Sequence, residues 1–210
     1  MKKLTIGIID YGVGNIGSIG NMLSRAGSEP FFVRERADFA RCDKYILPGV
    51  GSFSSAMQLL QSSPLLGELN AIVASGEKSV LGICLGMQML FEGSDEGGSC
   101  KGLGWIPGRI VKFNTEQPFP EPLPVPHMGW SKVALAQESP LFDGLLDNRF
   151  YHVHSYHVIT DACYVIGKTL YGYQYVTAVN HGKVYGVQFH PEKSHRFGMR
   201  MMQNFAKLCV

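Results

Sequence analysis

Ser79-Val80-Leu81-Gly82-Ile83-Cys84-Leu85-Gly86-Met87-Gln88 is the stretch whose reading decides the fold. Ser79 to Ile83 is a short apolar run and reads as a buried strand, whereas Leu85 through Phe91 reads as the start of a helix. Cys84 stands at the joint between Gly82 and Gly86, the G-x-nucleophile-x-G pattern of a strand-to-helix elbow with cysteine in the central place. A chain that turns from strand to helix within one residue strains that residue, and small neighbours keep the adjoining backbone clear. The hinge side chain is then held out at the carboxyl edge of a sheet, at the positive end of a helix, which favours the nucleophilic thiolate. By itself the same stretch also fits an inert cysteine buried in a Gly-rich turn.

A second stretch far downstream completes the pattern. Tyr185-Gly186-Val187-Gln188-Phe189 reads as a strand running into His190-Pro191-Glu192. In extended chain, residues i and i+2 share a face, so His190 and Glu192 are expected side by side, with Pro191 setting the bend. A carboxylate beside an imidazole orients the ring and stabilises its cation, as in a nucleophile–base–orienter triad. Alone, His-Pro-Glu is a surface turn; paired with a cysteine elbow it is a catalytic candidate.

Gly82 to Gln88 and Gln188-Phe189-His190-Pro191-Glu192-Lys193-Ser194 resemble the class I (triad) glutamine amidotransferases. The likeness extends through Asp10-Tyr11-Gly12-Val13-Gly14-Asn15, Leu47-Pro48-Gly49-Val50-Gly51 and Pro126-His127-Met128-Gly129-Trp130 to Val153-His154-Ser155-Tyr156. In that order, the set is similar to the glutaminase subunits of imidazole glycerol phosphate synthase. The resemblance implies an α/β fold of flavodoxin-like kind, a mostly parallel sheet flanked by helices. It implies glutamine hydrolysis through Cys84, His190 and Glu192, without a cofactor. An oxyanion hole is implied from the Leu85 N–H and the segment Gly49, Val50 and Gly51, whose peptide reorients on activation. Gln88, Glu96 and the backbone around His154, Ser155 and Tyr156 are implied to hold the substrate. The implied partner is a (β/α)8-barrel cyclase forming a heterodimer. It receives the ammonia and turns PRFAR into imidazole glycerol phosphate and AICAR, with His127, Met128, Trp130, Tyr156 and Lys193 near the interface. Two departures bear on the acceptor: Ser131 stands where asparagine is usual, and His195-Arg196-Phe197-Gly198 looks more like paralogues that supply ammonia to surface-polysaccharide sugars.

Composition sets outer bounds. The 210 residues suit one α/β domain over 1–210, with 17% charged residues and a net charge of +2 giving no basic field for nucleic acid. The cysteines at 42, 84, 100, 163 and 209 include no C-x-x-C pair, which fits a reduced, cytoplasmic setting. The apolar run after Met1-Lys2-Lys3 stops at Asp10 and reads as a first strand rather than a leader, and no run is long enough to span a membrane. With 18 residues after Glu192, no synthase domain is expected to follow.

Along the chain, Leu4–Asp10 is a predicted strand and Ile16–Ala26 a helix. Gly12-x-Gly14-x-x-Gly17 between them also matches a dinucleotide-binding fingerprint, with Glu35 after the next strand, Phe31–Arg34. That alternative leaves Cys84 and His190 without a role. A cysteine peptidase would use the same triad and is the other alternative. A strand over Lys44–Leu47 and helices over Ser52–Gln61 and Pro64–Ser75 precede the elbow. Beyond Gly104, Arg109–Phe113, Ser131–Leu135, Arg149–His154, Tyr156–Thr160 and Val165–Leu170 read as antiparallel segments added to the C-terminal half. Gln117–Pro126 is a Pro-rich connector, and Arg200–Leu208 an amphipathic helix burying Met201, Met202, Phe205 and Leu208. His152, His154 and His157 raise the question of a metal, but no carboxylate or thiol lies at ligand spacing, and no metal is expected.

Overall fold

The computed structural model describes residues 3–208; Met1, Lys2, Cys209 and Val210 lie outside the described residues. In chain order the elements are β1 (Thr5–Ile9), α1 (Ile16–Ala26), β2 (Glu29–Val33), β3 (Lys44–Leu47), α2 (Phe53–Ser62), α3 (Leu66–Ser75), β4 (Val80–Ile83) and α4 (Leu85–Met89). There follow β5 (Gly93–Ser94), β6 (Cys100–Lys101), β7 (Arg109–Lys112), β8 (His127–Leu135), β9 (Arg149–His154) and β10 (Tyr156–Ile159). The chain closes with β11 (Val165–Tyr171), β12 (Tyr173–His181), β13 (Val184–Val187) and α5 (His195–Lys207).

The first four strands and β13 form a parallel core in the order β2-β1-β3-β4-β13. This 2-1-3-4 order is that of flavodoxin-like sheets, not the 3-2-1-4 order of dinucleotide-binding domains. Every residue of β3 and β4 is buried, because helices cover both faces. Side chains alternate between the two faces: Ile6, Ile8 and Ile46 pack with Leu23 of α1 and Phe205 of α5, whereas Ile9, Val33 and Leu47 pack with Met57 of α2 and Leu69 of α3. Buried Lys44 ties β3 to the end of α5, donating from Nζ to the carbonyls of Phe205, Ala206 and Leu208. Among the described residues, no helix is long and apolar enough to cross a membrane.

The first two glycines of the first turn answer to backbone geometry and, at Gly14, to packing against Pro48. Gly12 and Gly14 have φ of 96° and 116°, and a Cβ on Gly14 would come within 2.8 Å of Pro48. Gly17 has open space around it, so it does not bring helix and strand close, as the third glycine of the dinucleotide fingerprint must.

Antiparallel strands extend the core from β13 through β12, β10 and β7, while β11, β8 and β9 branch from β12. This extension is larger than expected, because β12 was not foreseen. Its sequence, Tyr173 to His181, buries residues of both faces and so lacks the alternation that marks a half-buried strand. The C-terminal helix also starts earlier than expected. Its first turn is packed so closely that a Cβ on Gly198 would overlap the Pro191 carbonyl.

Candidate active site

The elbow forms as its sequence implies. Cys84 follows β4 as the cap of α4 with φ 54° and ψ −112°, a region costly for a residue with a Cβ, and is itself only 7% exposed. Two close approaches hold it there. A Cβ on Gly82 would lie 2.7 Å from the Gly86 carbonyl oxygen, and a Cβ on Gly86 would overlap the Leu47 carbonyl. Helix α4 ends at Met89, earlier than predicted, so few aligned peptides stand behind Cys84. The titratable side chain beside Cys84 is His190.

His190 follows β13 and is drawn toward β9, where its N–H donates to the Tyr151 carbonyl at 2.9 Å. Glu192 reaches His190 by a route different from the one expected. Residues Pro191–Lys193 form a single 3-10 turn rather than extended chain, and this turn brings Glu192 Oε1 to 2.9 Å from His190 Nδ1. Buried Ser194 holds the turn, donating from Oγ to the His190 carbonyl and accepting from the Tyr151 N–H. The Glu192 side chain is 1% exposed and its Oε2 has no partner among the described residues, so its charge is directed at the imidazole. Burial alone pulls the His190 imidazole down; hydrogen bonds to Cys84 and Glu192, with the charge of both, outweigh it and raise the ring to about 10. Glu192→Gln keeps an acceptor for Nδ1 but removes the charge. The basic limb of the pH–rate profile for glutamine hydrolysis is expected to move down by about one pH unit or more. An unmoved limb would show that Glu192 does not set the imidazolium.

A cleft of about 370 Å³ opens over the triad. Val50, Gly51, Cys84, Leu85, Gln88, Glu96, His154, Ser155, Tyr156, His190 and Lys193 line it, with Pro126 and Val153, which stood in the motifs without a site role. Gly49 lies beneath, packed on α4, where a Cβ would come within 2.6 Å of the Gly86 nitrogen. Gln88 Nε2 donates to the Tyr156 carbonyl and to Gln188 Oε1, both at 3.1 Å. Gln188, fully buried, in turn directs its Nε2 toward Cys84 Sγ at 3.9 Å. A glutamine in the otherwise apolar run Val187-Gln188-Phe189 is the signal that could have pointed to it. Glu96 Oε2 accepts from the Phe53 N–H at the start of α2, which places this carboxylate on the cleft wall.

Behind the cleft, three histidine nitrogens converge on one hydroxyl. His127 Nδ1, His152 Nδ1 and His154 Nε2 lie 2.9, 3.1 and 3.1 Å from Tyr175 Oη. Because His154 Nδ1 faces the Tyr156 carbonyl, it carries the proton, and Nε2 accepts from the phenol. The phenol has one proton, so His127 and His152 donate to it through Nδ1. His127 Nε2 then accepts from Ser131 Oγ, which gives that serine a structural part. Burial pushes His127 down to about 4 and His154 to about 3, and His152 well below its ordinary value. His127, His152 and His154 are near enough to share a metal ion, but Tyr175 Oη occupies their meeting point. His157 bonds to Tyr173 instead.

The expected interface residues separate in the same way. His127 is 2% exposed and sits in this cluster, so it offers no contact surface. Met128 and Trp130, by contrast, are 62% and 42% exposed, and Val50, which lines the cleft, is 44% exposed. Trp130 stacks on His195, and the Lys193 ammonium lies over the Tyr151 ring.

A cysteine on a strand-to-helix elbow, paired with a buried His–Glu couple at the carboxyl edge of a 2-1-3-4 sheet, marks a triad amidotransferase. The family model of class-I glutamine amidotransferases matches residues 8–209, and the chain belongs to that family. Within it, the chain is 44% identical over 204 residues to imidazole glycerol phosphate synthase subunit HisH of Sulfurimonas denitrificans, covering 96% of this chain and 97% of that one. It is 45% identical over 204 residues to subunit HisH 2 of Methanococcus maripaludis, covering 96% and 98%. The solved structure described as PurLQS from Thermotoga maritima superposes with a TM-score of 0.74 at 18% identity, over 97% of this chain and 98% of that one, and so shares the fold.

Proposed function

We propose that the cleft hydrolyses the side-chain amide of L-glutamine and passes the ammonia to a partner synthase. Cys84 attacks the carboxamide carbon. The oxyanion is held by the Leu85 N–H and a peptide of Gly49–Gly51, and His190 protonates the departing ammonia. Water then attacks the thioester, returning the thiol and releasing glutamate. Gln88 and Glu96 address the polar ends of the amino acid, the carboxylate of Glu96 suiting an ammonium. The observation that carries this reading is that Cys84, His190, Gln88, Glu96 and Val50-Gly51 share one cleft. The nearly full-length similarity to HisH subunits supports a (β/α)8-barrel cyclase as acceptor, making imidazole glycerol phosphate and AICAR from PRFAR. Exposed Met128 and Trp130, with Lys193 on the cleft wall, suit such a contact.

His195-Arg196-Phe197-Gly198 favours a second acceptor, an enzyme that amidinates or aminates a surface-polysaccharide sugar. One experiment separates the two: glutamate release from glutamine by the chain alone, with a histidine-pathway cyclase, and with cyclase plus a PRFAR analogue. Strong stimulation by the loaded cyclase alone is the expected result. A folded chain with alkylatable Cys84 and no stimulation would transfer it to the sugar acceptor.

A further inference from the structure

We propose that Tyr11 is a positioning residue for glutamine hydrolysis, its hydroxyl fixing the hinge of the segment that supplies the second oxyanion donor. This rests on reading Gly49–Gly51 as that segment. Tyr11 follows β1 at the carboxyl edge of the sheet and is 6% exposed. Its Oη donates to the Pro48 carbonyl at 2.8 Å and lies 3.4 Å from Met89 Sδ in α4. One side chain thus joins the loop after β1, the loop after β3 and the elbow helix.

The geometry on either side shows what that bond restrains. Holding the Pro48 carbonyl holds the plane of the Pro48–Gly49 peptide, since a peptide moves as a rigid unit. Gly49 is clamped from beneath by α4, whose Gly86 nitrogen leaves no room for a Cβ. Beyond this clamp the surroundings open: Val50 is 44% exposed, and Gly51, with a φ of 94°, has nothing within 4 Å of where a Cβ would stand. The Gly49–Val50 peptide is therefore the first that can rotate, and the hydroxyl of Tyr11 defines where rotation starts. Without it, the Pro48–Gly49 peptide joins the motion and the Val50 N–H loses a fixed direction. An oxyanion donor acts only when aimed at where the charge develops, so loose aim lowers turnover and leaves substrate binding alone. Burial pushes the Tyr11 phenol up, so it remains a donor throughout the working pH range.

The test compares Tyr11→Phe with the unmodified full chain, assembled with the acceptor subunit that the stimulation assay identifies. Turnover is expected to fall about tenfold, a fraction of what losing an oxyanion donor costs, with KM for glutamine within about twofold. The rate of Cys84 alkylation by iodoacetamide, which needs no oxyanion donor, stays unchanged. Unchanged turnover would overturn the proposal, as would a matching loss in alkylation, which would mark a structural role. Val50→Pro, which lacks the N–H, separates the two levels. If it leaves turnover intact, the oxyanion reading fails and the Tyr11 proposal with it. If it lowers turnover while Tyr11→Phe does not, only the Tyr11 proposal fails.

Discussion

Replacing Cys84 by alanine is expected to lower glutamine hydrolysis by about four orders of magnitude or more, since loss of the nucleophile stops the covalent route altogether. What remains is whatever the oxyanion donors and the bound geometry give to direct attack by water. Folding should survive the change. Alanine occupies the same backbone well at φ 54° and removes one sulfur from a site open to the cleft. Glutamine binding should also survive, because Gln88, Glu96 and the backbone of residues 154–156 are untouched. The measurement is glutamate release under saturating glutamine, with equilibrium binding of glutamine to the variant as control. Activity within tenfold of the unmodified chain would remove Cys84 from the mechanism.

Acid should unfold the protein earlier than its carboxylates alone would require. In the unfolded chain, a histidine takes up a proton near pH 6.5. In the folded chain His127 waits until about 4 and His154 until about 3, while His152 stays neutral below its ordinary range; burial is the leading cause for each. The unfolded state thus binds more protons below pH 6.5, and stability falls as pH falls. Together the three give a slope of about 4 kcal/mol per pH unit between roughly pH 6 and 4. His190 acts in the opposite direction. Its folded value is raised to about 10, so its contribution is complete below 6.5 and is lost as pH rises through 10. A stability maximum near neutral pH follows. Calorimetry at pH 5.5 in buffers of different ionisation heat should show uptake of about three protons or more on unfolding. Uptake below one would mean that the cluster is already charged in the native state.

Much of this site was legible in the sequence because its geometry is local. Gly82, Cys84 and Gly86 specify an elbow within a few residues, and His190 and Glu192 are too close in sequence to miss each other. Even the mistaken route, extended chain rather than a 3-10 turn, ended in the same ion pair. What stayed hidden depends on long-range packing. His127 shares a motif with exposed Met128 and Trp130, and only the pairing of β8 with β9 turns it inward toward Tyr175. The histidine triplet differs from the one its spacing suggested, because His157 lies on β10 and faces Tyr173. Strand β12, which supplies Tyr175, escaped because both its faces are covered. Tyr11 was visible as part of a motif, but its bond to Pro48 joins two loops that meet only when β1 and β3 pair.

The pairing of β4 with β13 has a consequence for how the protein is made. Residues 80–83 wait for residues 184–187 before their second edge is covered. At roughly 5–20 residues per second, that interval on a ribosome lasts about 5–20 s. Through that time the emerging chain carries an uncovered, wholly apolar strand whose open edge invites pairing with a neighbour. The enzyme thus cannot mature from its first half onward. Cys84 and His190 are brought to one edge of the sheet only once β13 has emerged and paired with β4.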